Sequence, residues 1–417
     1  MKKPYFGWWI VVVGFFLMMF LFAPVMNLSG FYVIPLSENF SILRSTAILA
    51  TTFSTVTSML VSLFAGRLLS RFNIRKMVTL FLVLSALGCT LCAMAPSFGF
   101  VIAGSIIRGL CYPFVTTLPL SILVGNWFGK AILGRAWAIT TMGTGIGLLV
   151  LSPATAAIMG QWGWRGGYAF YALLALVMIP FVLLTFYTCP DDKGLAQLGG
   201  NDESKTEKTG SGIAFRDALR SPVLWLYLVS ILLLGGSGHN WNLNGAAYFS
   251  DIGFSLAHVS LLLSIAAVGI TVSKFALGAI CDKFSIKAGV VTTTLAVMAG
   301  VTIFIVAYSV PVLAYPGAIV VGFGVTVATV MPVLVARDLF GDRDFGTIAG
   351  FMQSSSMLGS ALVPLVAAAG YDWLGNYIPA WGGSFILCLL ALLGILTAYR
   401  LQPALAARHW NSGATKL

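Results

Sequence analysis

The stretch Gly66-Arg67-Leu68-Leu69-Ser70-Arg71-Phe72-Asn73-Ile74-Arg75 is answered 212 positions later by Gly278-Ala279-Ile280-Cys281-Asp282-Lys283-Phe284-Ser285-Ile286-Lys287. Each copy lies between long apolar runs and ends on basic residues. The same shift carries Gly134 to Gly346, Phe128 to Phe340 and Gly147 to Gly359. A parallel duplication of a multi-helix unit accounts for all of these matches.

Composition sets the medium in which the duplicated unit folds. Of 417 residues, 59% are hydrophobic and 9% charged, against about 25% charged in an ordinary soluble protein. So few charges cannot cover a soluble core of this size, whereas a bilayer is itself apolar. The net charge of +11 is spread in ones and twos at the ends of apolar runs, which is a topology pattern and not a nucleic-acid surface. Cys89, Cys92, Cys111, Cys189, Cys281 and Cys388 fall in or beside apolar segments. The Cys89/Cys92 spacing lacks a second pair or a histidine, so the thiols read as packing residues and no metal is expected. Met1-Lys2-Lys3 before an apolar stretch imitates a signal peptide, but the stretch is too long and carries no small-x-small cleavage site. It reads as the first membrane span.

A spanning helix needs about 20 mostly apolar residues. Charges, prolines and polar clusters then delimit spans near 7–34, 44–69, 76–95, 98–125, 134–160 and 166–189. A second group follows near 221–250, 256–281, 287–309, 311–336, 346–371 and 378–401. The expected fold is an all-α membrane protein of twelve transmembrane helices in two six-helix pseudo-symmetric halves, 1–189 and 221–417. Between them, 190–220 reads as a polar cytoplasmic linker from Pro190 to Gly212 and a short surface helix at Phe215–Ser221. With the N-terminus inside, only Arg44 and Arg165 of the 24 lysines and arginines fall in outer loops, Arg108 and Lys274 fall within spans, and twenty are cytoplasmic. That bias places both termini in the cytoplasm of a multi-pass cell inner-membrane protein.

Gly66 to Lys76 resembles the loop motif of the major facilitator superfamily between helices two and three, Gly-x-Leu-x-Asp-Arg-x-Gly-Arg-Arg, and the later copy repeats it. Ser70 and Asn73 depart from that pattern in the first copy, while Asp282 keeps it in the second. The resemblance implies a carrier fold over the whole chain. It marks Gly66, Arg71, Arg75, Gly278, Asp282 and Lys283 as the gating loop motif.

The charges inside the membrane point to the cargo. All 13 acidic residues lie in loops, the linker or span ends, yet Arg108 lies about ten residues into span four and Lys274 lies mid-span in helix eight. An unpaired cation at the bilayer centre costs at least roughly 2.5–3.5 kcal/mol, and a transported anion is its readiest partner. Arg108 resembles the fourth-helix arginine of the superfamily's proton-linked members, where bonding to backbone carbonyls is the competing role. Lys274 precedes Gly278 by four residues and Asp282 by eight. This resembles the helix-eight arginine of the oxalate/formate antiporter and monocarboxylate porter family, which binds the substrate carboxylate; lysine keeps the charge without the two-pronged fork.

Helix seven carries Gly235-Gly236-Ser237-Gly238-His239-Asn240-Trp241-Asn242-Leu243-Asn244-Gly245, which predicts a span that is locally broken or faces water. His239 is a candidate proton carrier or an interhelical hydrogen-bonding group, and Asn240 and Asn244 share a face at i,i+4. Asn27, Tyr112, Thr117 and Gln353 complete the candidate substrate-binding set of Lys274, Arg108, His239, Asn240 and Asn244. The run Gly143-Thr144-Gly145-Ile146-Gly147 loosely resembles an antiporter motif but reads first as close helix packing.

Together these readings predict a secondary transporter of a small organic anion, first a monocarboxylate, working by alternating access as a monomer among membrane lipids. Proton coupling, exchange and uniport are all compatible with it. The alternatives are an anion exchanger for dicarboxylates and an efflux pump for hydrophobic drugs; a pump for cationic drugs would call for an embedded acid. No nucleotide loop or nucleophile–base pair is visible, so neither enzymatic activity nor a cofactor is expected, and no nucleic acid is a partner.

Overall fold

The structure, a computed structural model, describes residues 5–199, 212–328, 331–341 and 343–409. Among these, eleven helices are long and apolar enough to cross a membrane, and one of them, Ile132–Thr185, spans 54 residues and holds two crossings. We number the crossings α1 (Gly7–Met26), α2 (Arg44–Arg71), α3 (Ile74–Ala93) and α4 (Phe98–Trp127). The run Lys130–Thr185 is α5 and α6, divided at Gly163. The rest are α7 (Pro222–Asp251), α8 (Leu256–Lys283), α9 (Ile286–Ala307), α10 (Pro311–Ala328, with Met331–Phe340 following), α11 (Phe345–Leu374) and α12 (Ile378–His409). Gly163 stands at φ 65° and ψ −173°, a left-handed region that a residue without Cβ adopts freely, so the α5–α6 corner is made without a loop.

The chain divides into two compact units. Unit 1 is Met1–Ser204 with Phe249–Ser264, and unit 2 is Lys205–Tyr248 with Ile265–Leu417. The C-terminal end of α7 and the start of α8 thus belong to unit 1, although they lie in the second half of the sequence. Inside unit 1, α4 packs on α2 and α3, and α1 packs on α5; inside unit 2, α9 packs on α10 and α12.

The duplication is visible in local structure. Asn73 caps α3 by accepting from the Lys76 amide at 3.3 Å, and Ser285, its repeat equivalent, caps α9 by accepting from the Ala288 amide at 3.0 Å. In each case one of the orphan first-turn donors is satisfied. Gly147 of α5 lies 2.9 Å, measured to an added Cβ, from the Met19 Cα of α1; its equivalent Gly359 of α11 lies against the Leu232 carbonyl of α7. Any side chain at either place would force the helices apart, so the Gly143–Gly147 run does serve close packing, as expected. The fourth and tenth crossings also loosen at equivalent places. Helix α4, with Pro113 removing a ladder donor, breaks at Thr116, and α10 tightens to a 3-10 turn at Thr326–Ala328.

The described parts of the linker are tied down rather than loose. Leu198 forms a backbone bridge with Phe128, giving its N–H to Trp127 O at 3.1 Å and accepting from Gly129 N at 2.8 Å. At the other end Gly212 bridges Gly341, and Ile213 N–H donates to Phe340 O at 2.8 Å. Phe128 and Phe340 are repeat equivalents, so each linker end is pinned to the same loop of its own unit. The Tyr5 hydroxyl adds a bond to Ala196 O at 2.8 Å, and partial burial raises its pKa above the usual phenol value.

Candidate functional site

Arg108 is delivered to the interior of unit 1 by a helix whose neighbour leaves room for it. Its aliphatic stem passes Gly88 of α3, where an added Cβ would stand 3.2 Å from Arg108 Cγ. The side chain is buried at 7% exposure, and its guanidinium carbon lies 5.3 Å from the centroid of the Tyr168 ring on α6. A cation over an aromatic face is stabilised by the ring quadrupole, by about 0.5–2 kcal/mol. No carboxylate of the described residues pairs with Arg108. The ring is therefore a partial compensation for a full charge.

A polar cavity of ≈ 10 Å³ opens beside it, room for about one water. Its walls are Pro24, Val25, Ser29 and Tyr32 from the end of α1, Thr51 and Ser54 from α2, Ser105 and Arg108 from α4, and Tyr168. The walls come together because α1 stops early. Asn27 leaves helical geometry at φ −114°, Ser29–Tyr32 form a 3-10 turn, and Val33–Phe40 is a separate helix. The Tyr32 ring packs on Tyr168 at 4.2 Å between centroids, tilted by 32°, and its hydroxyl, fully buried, has no hydrogen-bond partner. Next to it Tyr171 and Thr155 share a hydrogen bond of 3.0 Å. Hydroxyls of Ser29, Tyr32, Thr51, Ser54 and Ser105 thus stand around the same small cavity as the guanidinium.

The other expected site residues divide into three kinds. Asn27 is half-buried at the end of α1 and Tyr112 is half-buried one turn beyond Arg108, with Phe22 5.7 Å from its ring. These two share unit 1 with Arg108. Thr117 is exposed, while its neighbour Thr116 is buried and donates to Tyr112 O at 2.7 Å.

In unit 2, Lys274 is half-buried in the middle of α8 and Gln353 is half-buried on α11. His239 and Asn242, one turn apart on α7, are buried, and His239 Nε2 and Asn242 Oδ1 have no hydrogen-bond partner. Asn240 and Asn244 are fully buried with their Nδ2 groups bonded, while Asn244 Oδ1 has no partner. Asn240 Nδ2 donates to Ser384 Oγ at 3.1 Å; Asn244 Nδ2 donates to Asn240 Oδ1 at 2.7 Å and to Pro364 O at 2.9 Å. Helix α7 is continuous from Pro222 to Asp251, so of the two expected alternatives, a local break or a face toward water, the break does not occur. Two of its amides, Asn240 and Asn244, reach partners on α12 and α11 without the backbone opening.

In the loop motif, Arg75 Nε donates to Phe186 O at 2.8 Å and its guanidinium sits 4.0 Å over the Tyr187 ring, which fastens the start of α3 to the end of α6. Gly66 and Arg71 are exposed, and Lys283 lies over the Phe284 ring at 5.5 Å. The side chains of Gly278 and Asp282 lie outside the described residues. Sequence reasoning missed Tyr32, Tyr168, Ser105 and Thr51. The usable signal was Tyr168 and Tyr171, which at i,i+3 share one face of their helix.

The sequence pattern of the Major Facilitator Superfamily matches residues 9–241 and, again, 236–416. A curated relative, the uncharacterized MFS-type transporter YcxA of Bacillus subtilis (strain 168), is 25% identical over 177 residues, 42% of this chain and 43% of its own length. Among solved structures, a bacterial homologue of the human lysosomal transporter Spinster, in an inward-facing and unoccupied conformation, superposes with a TM-score of 0.72 at 13% identity, covering 99% of this chain and 100% of that one. The peptide transporter POT gives a TM-score of 0.75 at 11% identity, covering 97% and 95%. At such identities the likeness speaks for the fold alone.

Proposed function

The chain belongs to the Major Facilitator Superfamily, and we propose that it carries a small organic anion, first a monocarboxylate, by alternating access. It is a multi-pass membrane transporter, not an enzyme. One observation carries the choice of an anion: Arg108 is buried beside a cavity walled by hydroxyl and tyrosine side chains, with an aromatic ring and no carboxylate for company. A guanidinium offers five donors in a plane and fits a carboxylate with two of them. In a low-dielectric interior the bound anion supplies the missing charge. The embedded cation also speaks against cationic drugs as cargo.

Lys274 is the second proposed anion contact, in unit 2, with Asn27, Tyr112 and Gln353 as orienting groups and His239 as a proton carrier. Two cations in one chain keep a dicarboxylate exchanger as the second reading.

A thermal-stability screen of the purified transporter against monocarboxylates, dicarboxylates, sugars and organic cations tests the proposal. Monocarboxylates should raise the Tm of the native chain and leave Arg108→Gln unmoved. Stabilisation by a cation or a neutral sugar, with no response to any anion, would overturn the reading.

A further inference from the structure

A charge holds down the exposed start of the linker. Lys193 ends the short 3-10 turn Pro190–Lys193 and is exposed, yet its Nζ lies 3.8 Å from the centroid of the Phe6 ring and 4.3 Å from that of Tyr187. Phe6 immediately precedes α1, and Tyr187 lies just past the end of α6. One ammonium therefore clips the N-terminal segment to the chain that leaves the last crossing of unit 1. The two rings stand 5.7 Å apart, edge to face at 77°, and a cation on both is attracted by both quadrupoles. Of the neighbouring carboxylates, Asp192 is engaged inside the turn, accepting from the Cys189 amide at 3.1 Å.

The contacts fall into two layers. In the inner one, Phe186–Thr188 is gripped from the bundle. Arg75 Nε donates to Phe186 O, the fully buried Trp127 donates from Nε1 to Tyr187 O at 2.8 Å, and Asn126 Nδ2 donates to Thr188 O at 3.0 Å. Arg75 also covers the Tyr187 ring, so that ring keeps a cation whatever happens at Lys193. In the outer layer, Asp191–Gly194 is exposed. Besides Lys193 on its two rings, the holds there are the Tyr5 hydroxyl on Ala196 O, Gln197 Nε2 on Gly125 O at 3.0 Å, and the backbone bridge at Leu198. These are neutral hydrogen bonds on exposed ground, where water competes and each contributes little. The charged contact is the part of the outer layer that a change of charge can undo.

We propose that Pro190–Leu198 is a charge-operated strap with Lys193 as its pin. While the ammonium sits on the Phe6 and Tyr187 rings, the strap lies closed on unit 1 and the free linker starts after Leu198. Removing that charge loosens the strap from Leu198 back to Pro190. The loosening stops there, because the inner layer keeps Phe186–Thr188 in place. The strap thus sets how much chain is free between the last crossing of unit 1 and the first of unit 2, whatever the cargo.

The test is amide hydrogen exchange in the full-length transporter, read by peptide mass spectrometry. The reporting amides are those of Asp192, Gly194, Leu195 and Leu198, each bonded in the closed strap. Lys193→Gln should speed exchange over Asp191–Leu198 roughly twofold to fivefold and leave Phe186–Cys189 at native rates. Lys193→Arg keeps the charge and should exchange like the native chain. Phe6→Leu should give a rise of the same order as Lys193→Gln, and the two changes together should add little to either alone. Native rates in Lys193→Gln, or an equal rise in Lys193→Gln and Lys193→Arg, would overturn the pin. An equal rise over Phe186–Cys189 would overturn the strap as a separate unit. If Phe6→Leu does not fold, the comparison of the two Lys193 variants decides.

Discussion

The interiors of the two units carry polar side chains in similar number, and Arg108 of unit 1 and the Asn240–Asn244 pair of unit 2 stand in opposite condition. In unit 1 the guanidinium of Arg108 faces a cavity with an aromatic ring and hydroxyls, and no acid. In unit 2 the amides of Asn240 and Asn244 are already bonded to each other, to Ser384 and to Pro364. Both patterns look alike in a sequence as polar residues within a span. The difference teaches that intramembrane polarity marks a binding site only when its hydrogen-bonding or charge demand is left over after packing.

Substitutions that remove the polarity should therefore have opposite consequences at Arg108 and at Asn244. The largest effect is expected for Arg108→Leu: uptake kcat/KM should fall roughly a hundredfold, while the melting temperature holds or rises because a buried charge is gone. Loss of stability with normal uptake would reverse the roles assigned to the two units. Asn244→Leu should do the contrary. It leaves Asn240 and the Pro364 carbonyl without their amide, at about 1–2 kcal/mol of stability, with KM for the folded protein within twofold of native. Lys274→Gln should lower uptake roughly fivefold to tenfold in a protein that still folds; normal transport would remove α8 from the binding assignment. The smallest effect is expected for Tyr168→Leu, a loss of about 0.5–1 kcal/mol of anion binding from the missing ring face, read as a two- to fivefold rise in KM.

Much of the architecture was legible before any coordinates. The crossings follow from apolar length, and the repeat pairs Asn73 with Ser285 and Gly147 with Gly359 in ways that reappear as matching caps and crossings. The isolation of Arg108 was legible too, since every acidic residue can be placed in a loop, the linker or a span end. What could not be read is which partner a polar group finds. Asn240 reaches a serine 144 residues away and Asn244 a carbonyl 120 residues away, and nothing local marks either one. For the same reason the expectation for α7 stayed at a local break or a face toward water, and the break does not occur. The tyrosines around Arg108 escaped notice because the inward face of α6 is decided by how Tyr32 packs on Tyr168 after α1 unwinds, and that is a tertiary event.

The anchoring of the linker has a practical sequel. Leu198 and Ile213 are each hydrogen-bonded to a loop of their own unit, so length added between them does not pull on any crossing. Its thermodynamic penalty is that of closing a longer loop, which grows only with the logarithm of the number of residues. A fluorescent reporter or affinity tag spliced into that interval should leave the carrier intact. The same cassette placed outside those pins, at Gly125–Gly129 or Gly341, would separate the pairs that fasten the linker.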